Sequence, residues 1–284
     1  MSNKKPIVAI MYDFDKTLSP KNMQEYAFVP GIGLNPETFW SKCNRLAIEN
    51  NMDPILAYMF LMKEESEGKM LLTRDIFKKL GKSVKLFEGV STWFKRVNTY
   101  AEKQGLAAEH YIISSGLKEI IEGTTIAKHF TKIYAAEYCY NKKQVPIWPA
   151  MTVNYTSKTQ FLFRINKGVL DVNEHDRLNE FTPDNKRRVP FKNMIYIGDG
   201  LTDVPCMKLC KISGGHSIAV YQKDNSDANE KLRNGRVDFV APANYSKGSK
   251  MEATVFAVID QVKTYNKVLK MHLDDMDLAK IDKG

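Results

Sequence analysis

The apolar run Ile7–Tyr12 ends abruptly on Asp13-Phe14-Asp15-Lys16-Thr17. It lacks the alternation of a half-exposed strand, so it reads as a parallel strand buried on both faces. Such a strand constrains the fold strongly when it delivers acids at its C-terminal end, because open α/β sheets bind their ligands there. If the chain stays extended past Tyr12, Asp13 and Asp15 share one face. Two adjacent carboxylates repel, and nothing in packing asks for them. A turn or helix cap is the plainer reading of the same two acids.

Further apolar runs at 111–113, 151–155 and 194–197 read as companion strands, with a later one at 217–221. Between them, the segment Val90–Lys103 places Val90, Trp93, Phe94 and Val97 on one helical face, and Lys158–Lys167 reads as a second helix. The alternation predicts an α/β fold, a doubly wound and mainly parallel sheet with helices on both faces. Residues 21–86 break the rhythm with helical signals only. Asn35-Pro36 and Asp53-Pro54 each put a capping residue before a proline, and Thr73 is a third candidate cap. An inserted all-helical cap domain over 21–86 follows, leaving 1–20 and 87–284 as the core. Aromatic and β-branched residues in 134–148, around Asn141-Lys142-Lys143, suggest a projecting hairpin.

Charge and cysteine content narrow the partners. The net charge of +9 would suit a polyanion binder, but the basic residues are dispersed, with Lys186-Arg187-Arg188 the densest cluster. The insert is nearly balanced, with ten lysines and arginines against eight acids. No nucleic-acid partner is expected, and a basic surface also suits a small anionic substrate. The run near the N-terminus is too short for a membrane span, so no membrane partner is expected either. Four cysteines without a C-x-x-C pair point to reduced thiols and a cytoplasmic location. The oligomeric state is left open.

The other strand ends carry polar groups in turn. Ser114-Ser115-Gly116 offers a hydroxyl and backbone N–H groups that could cradle a phosphate, although a serine N-cap explains it alone. Lys158 opens its helix against the macrodipole, a misfit relieved if its ammonium meets an anion. Lys167, at the end of that helix, is a competing candidate. In Gly198-Asp199-Gly200-Leu201-Thr202-Asp203, Asp199 ends a strand and Asp203 can turn back toward it. Clustered oxygen ligands of this kind suit Mg²⁺.

Taken in order, Asp13-x-Asp15-x-Thr17, Ser114, Lys158 and Gly198-Asp199-x-x-x-Asp203 resemble the four motifs of the haloacid dehalogenase (HAD) superfamily. The likeness spans nearly the whole chain. A helical insert between the first two motifs, and Phe87-Glu88-Gly89-Val90 after it, resemble the phosphoserine-phosphatase-like branch. The resemblance implies a Mg²⁺-dependent phosphomonoesterase acting on a small phosphorylated metabolite. Asp13 would be the nucleophile, forming an aspartyl-phosphate, and Asp15 the acid and base. A dehalogenase expelling halide needs no such second aspartate. Lys158 would offset charge, with Ser114, Ser115, Gly116 and Thr17 forming the phosphate-binding loops and Thr17 also supporting Asp15. The metal would be held by Asp13, Asp15 through its backbone carbonyl, and Asp199, with Asp203 orienting metal water or Lys158.

Two alternatives stay open: a phosphotransferase using the same intermediate, and a non-catalytic binder of polyanions or phosphoproteins. Phosphoserine itself is disfavoured. Phosphoserine phosphatases carry a glutamate nine residues after the nucleophile, where this chain has Asn22. Tyr26, Trp40 and Tyr58 could line a pocket in the insert, although cap core is the more ordinary role for aromatics at these spacings.

Overall fold

The computed structural model describes residues 5–281. The chain forms a seven-stranded sheet in the order β4-β3-β2-β1-β5-β6-β7. Its strands are β1 (Ile7–Tyr12), β2 (Ala107–Leu117), β3 (Lys132–Tyr140), β4 (Pro146–Met151), β5 (Met194–Gly198), β6 (His216–Tyr221) and β7 (Phe239–Pro242). Among the described residues, only the β3–β4 pair is antiparallel.

Four α-helices follow β1 along the described chain: α1 (Phe28–Gly31), α2 (Pro36–Glu49), α3 (Pro54–Ser66) and α4 (Arg74–Gly81). Next come α5 (Val90–Lys103), α6 (Lys118–Glu122), α7 (Lys158–Lys167) and α8 (His175–Asn179). The last three are α9 (Val204–Ile212), α10 (Ser226–Arg233) and α11 (Lys250–Ile281). Among the described residues, no helix is long and apolar enough to cross a membrane.

Local chemistry sets the helix starts. Asn35 accepts the Thr38 N–H, Asp53 accepts those of Ile55 and Leu56, and Thr73 accepts that of Ile76. Prolines at the first position of α2 and α3 sacrifice no hydrogen bond, because that N–H has no partner within a helix.

β1 alternates between the two faces of the sheet. Val8, Ile10 and Tyr12 join one apolar cluster, with Val90, Trp93, Phe94 and Val97 of α5 and Val255 and Ile259 of α11. Each large buried side chain there contributes about 1.5–3 kcal/mol relative to exposure. That cluster continues into the insert through Phe28, Phe39, Met59 and Phe77. Ala9 and Met11 face the other cluster, with Phe161 and Leu162 of α7 and Met207 of α9.

Two glycines weld α4 to α6. A Cβ at Gly81 would lie 2.1 Å from the Ile120 carbonyl oxygen, and one at Gly123 would lie 1.9 Å from that of Lys78. The backbones can meet there only because neither residue has a side chain.

The expected strand at 151–155 is not one. Only Met151 belongs to a strand, the end of antiparallel β4. The Asn154 carboxamide then accepts the N–H groups of Thr156 and Ser157, folding the chain into a turn instead of extending it. The 134–148 segment does form a hairpin, β3 with β4, and β4 is the sheet's edge, carrying Pro146 and Pro149. The loop 114–116 also differs from a helix start. It is still strand, and α6 begins at Lys118.

Candidate active site

β1 lies between β2 and β5, so the C-terminal ends of all three converge, the switch point at which open sheets bind ligands. Asp13 continues the strand by donating its N–H to the Ile197 carbonyl at 2.9 Å. The chain then coils tightly, and the N–H groups of Thr17, Leu18 and Ser19 all reach the Phe14 carbonyl. Lys16 takes up the turn in the left-handed region, at φ 58°, a conformation costing a non-glycine residue about 1–2 kcal/mol. Buried Phe14 and Leu18 anchor the coil. It aims the fully buried Thr17 at Asp199, whose Oδ1 accepts the Thr17 hydroxyl at 3.1 Å.

The two acids of the first motif part company. Asp13 meets the ammonium of Lys158, with Nζ 3.1 Å from Oδ1. Asp15 turns to the Met23 N–H, which donates to its Oδ1 at 2.8 Å. Gly116 makes room for Asp15, since a Cβ there would lie 3.0 Å from Asp15 Oδ2 and closer still to Met23.

Lys158, in the first turn of α7, is completely buried and also bonds Asp203 Oδ1 at 2.7 Å. Asp203 takes further hydrogen bonds from the Tyr196 hydroxyl at 2.8 Å and the Gly200 N–H at 3.0 Å. Gly198 lets it approach, because a Cβ there would sit 2.5 Å from the Asp203 carboxyl carbon. Lys167, the competing lysine, bonds the carbonyls of Leu178 and Glu180 instead.

The phosphate-loop candidates divide as well. Ser114 lies close enough to Asp13 to draw that acid's pKa down, and its Oγ accepts the Gly116 N–H at 3.1 Å. The Ser115 hydroxyl is committed to the Val153 carbonyl at 2.7 Å, which leaves that residue its backbone to offer.

The electrostatics show an excess of negative charge. Burial pushes Asp13 up to about 6, with Lys158 pulling down and Asp203 pushing up. Asp199 is pushed to about 7 by burial and by repulsion from Asp13 and Asp203. Burial and the Asp13 charge hold Asp15 well above the carboxylate range. For Lys158, burial opposes the charge, but Asp13 and Asp203 outweigh it and the pKa rises above the ordinary lysine value.

Carboxylate oxygens of Asp13, Asp199 and Asp203 lie within 4.8 Å of one another. Three hard oxygen donors against one ammonium fit a small divalent cation such as Mg²⁺. The Asp15 carboxylate stands outside that set.

Sequence reasoning missed several supporting groups. Tyr196 hides within an apolar strand, and nothing at that position marks it as a partner of Asp203. Lys231, 2% exposed, donates to the Asp199 carbonyl at 3.1 Å and also pairs with Asp227. In the sequence that pair has the i,i+4 spacing of an ordinary helix-surface contact. Beneath the site, the Tyr12 hydroxyl joins the Trp93 indole and His110, whose pKa burial lowers to about 3.

Comparison with known proteins bears on the family and the fold. A family model of haloacid dehalogenase-like hydrolases matches residues 10–208. A protein of unassigned function from Borreliella burgdorferi is 30% identical over 280 residues, covering 88% of this chain and 96% of its own length. A HAD family hydrolase from Salmonella enterica serovar Typhi superposes with a TM-score of 0.51 at 18% identity, over 80% of this chain. This chain spans 66% of that hydrolase's length. A probable phosphoserine phosphatase from Vibrio cholerae gives a TM-score of 0.57 at 11% identity, covering 93% of this chain and 68% of its own.

Proposed function

The chain belongs to the haloacid dehalogenase-like hydrolases, and from that premise we propose a Mg²⁺-dependent phosphomonoesterase that works through an aspartyl-phosphate on Asp13. The supporting observation is the division of labour between two carboxylates on one loop. Asp13 sits on Lys158 among the clustered acids, whereas Asp15 turns aside to Met23, where burial favours its protonated form. A pair of acids in different environments is what an acid–nucleophile pair requires.

Asp13, Asp199 and the backbone carbonyl of Asp15 would hold the Mg²⁺, with Asp203 beside them. When bound, the cation neutralises charge on the nucleophile and the phosphoryl group. An Asp13 oxygen forms the bond to phosphorus while the bond to the leaving oxygen breaks, and Asp15 delivers its proton to that oxygen. Ser114 and the neighbouring N–H groups hold the phosphoryl oxygens, and Lys158 balances their charge. Asp15 then takes a proton from water as the water oxygen bonds phosphorus and the bond to Asp13 breaks. Asp203 positions Lys158 through the 2.7 Å contact.

Residues 21–86 act as the cap that selects the substrate, a small phosphorylated metabolite other than phosphoserine. Four free cysteines suit a cytoplasmic enzyme.

Phosphate release from a panel of phosphomonoesters, with and without Mg²⁺, tests the reading. Asp13→Asn is expected to abolish release. Asp15→Asn slows it by about 10²–10⁴-fold while Mg²⁺ binding persists. Undiminished release from pure Asp13→Asn protein would end the proposal.

A further inference from the structure

Helix α3 is tied to two loops of the site at once. Asp53, at its N-terminus, uses Oδ1 to accept the N–H groups of Ile55 and Leu56. Its other oxygen, Oδ2, accepts from Asn154 Nδ2 at 3.0 Å, a contact between residues far apart in the chain. Farther along α3, the Tyr58 hydroxyl donates to the Ser115 carbonyl at 2.8 Å, and the Ser115 hydroxyl donates to the Val153 carbonyl at 2.7 Å. Both routes end in the same turn, 153–157, which leads into Lys158.

Asn154 organises that turn with its backbone and its side chain together. Its Oδ1 accepts the N–H groups of Thr156 and Ser157 at 3.2 and 3.0 Å, and its own N–H donates to the Ser157 hydroxyl at 2.8 Å. Its carbonyl accepts the Lys158 N–H at 2.9 Å, so the first residue of α7 starts from Asn154. Lys158 has little latitude, being completely buried with its ammonium shared between Asp13 and Asp203. Capping α3 needs only one of the two Asp53 oxygens, and an uncharged cap would serve as well. The second oxygen and the charge are spent on Asn154, where a charge-assisted hydrogen bond is stronger than a neutral one.

Building on the phosphatase reading above, we propose that Asn154 is a positioning residue for Lys158, held in place by Asp53 of the inserted helices. Asp53 fixes the amide, the amide fixes the turn, and the turn aims the ammonium at Asp13 and the phosphoryl group beside it. A misplacement of about 1 Å at such a site can cost on the order of 10²-fold in rate. Lys158 meets the phosphoryl group, which every substrate shares. The Asp53–Asn154 contact therefore acts on the rate with all esters alike and not on the choice among them.

The test exchanges the two side chains. Asn154→Asp keeps an oxygen for Thr156 and Ser157 but sets a second carboxylate against that of Asp53. Asp53→Asn keeps an oxygen for Ile55 and Leu56 and leaves the turn's own hydrogen bonds in place, but sets one amide donor against another. The two together restore one donor and one acceptor with the direction of the bond reversed. With Mg²⁺ and p-nitrophenyl phosphate, each single exchange should lower kcat about tenfold, the scale of one hydrogen bond to a charged group, with a smaller change in KM. The double exchange should recover most of that loss. Phenyl phosphate and glycerol 2-phosphate should show the same factors. Urea unfolding of each variant separates loss of fold from loss of rate, and if Asn154→Asp alone does not fold, Asp53→Asn and the double exchange carry the comparison.

A double exchange no faster than the slower single one overturns the assignment. So do losses confined to KM, losses that differ from ester to ester, and a lower unfolding midpoint with kcat of the folded protein unchanged. Any of these in a series whose native protein hydrolyses p-nitrophenyl phosphate spares the phosphatase reading. No release from any ester by the native protein removes that reading, and the assignment falls with it.

Discussion

Asp13, Asp199 and Asp203 share the space at the end of β1 with a single ammonium, and that imbalance has a measurable signature. Folding raises the pKa of Asp13 to about 6 and that of Asp199 to about 7, both above the ordinary aspartate value. Between about pH 4 and pH 7, the folded chain therefore holds protons that the unfolded chain has released. The contribution of these two groups to stability falls as pH rises through that window. The Mg²⁺ proposed above would bind the deprotonated form, so it should stabilise the fold more at about pH 8 than at about pH 5. Melting temperatures with Mg²⁺ and with a chelator, at both pH values, measure this, and an equal increment at each would contradict it. The acids themselves were legible because they follow apolar strands, where polar residues need a reason. Tyr196 and Lys231 were not, since their partners lie across a tertiary contact that no local spacing announces.

Helices and strands were legible where local chemistry decides them. Asn35-Pro36 and Asp53-Pro54 start α2 and α3 because cap and proline act within a single turn. The run at 151–155 misled because its apolar residues include Val153, buried not in a strand but in a loop turned by Asn154. β7, four residues long, carries too little pattern to be seen without its neighbour β6.

The α4–α6 crossing was also invisible, being a demand that one backbone makes on another. It yields a sharp expectation. Gly123→Ala introduces a Cβ 1.9 Å from the Lys78 carbonyl oxygen, although its φ of −81° suits any residue. The strain is therefore one of space, and urea unfolding should show a loss of about 1–3 kcal/mol or more. A loss below a few tenths would mean that the two helices separate freely.

On the scale of the molecule, the sheet and the inserted helices share one continuous apolar cluster, while the far half of α11 stands apart from it. The buried residues of α11, Met251, Val255, Val258, Ile259 and Val262, all lie in its first half. Farther along, Val268, Met271 and Leu278 are 60%, 59% and 62% exposed, whereas Leu269, Leu273 and Met276 border a cavity with Phe163, Phe191 and Leu209. Replacing Val268 and Met271 by serine should cost no more than about 0.5 kcal/mol in urea unfolding and leave phosphate release as it was. A larger loss would mean that these two side chains pack on the core.

The rim formed by β4 bears on how copies of the chain meet in concentrated solution. Pro146 and Pro149 have no N–H, so a strand arriving from another molecule cannot extend an unbroken ladder along that edge. Ile147 and Trp148 are exposed on the same strand. The two prolines thereby work against templated strand addition at this edge, and leave side-chain contact as the easier way for copies to meet there.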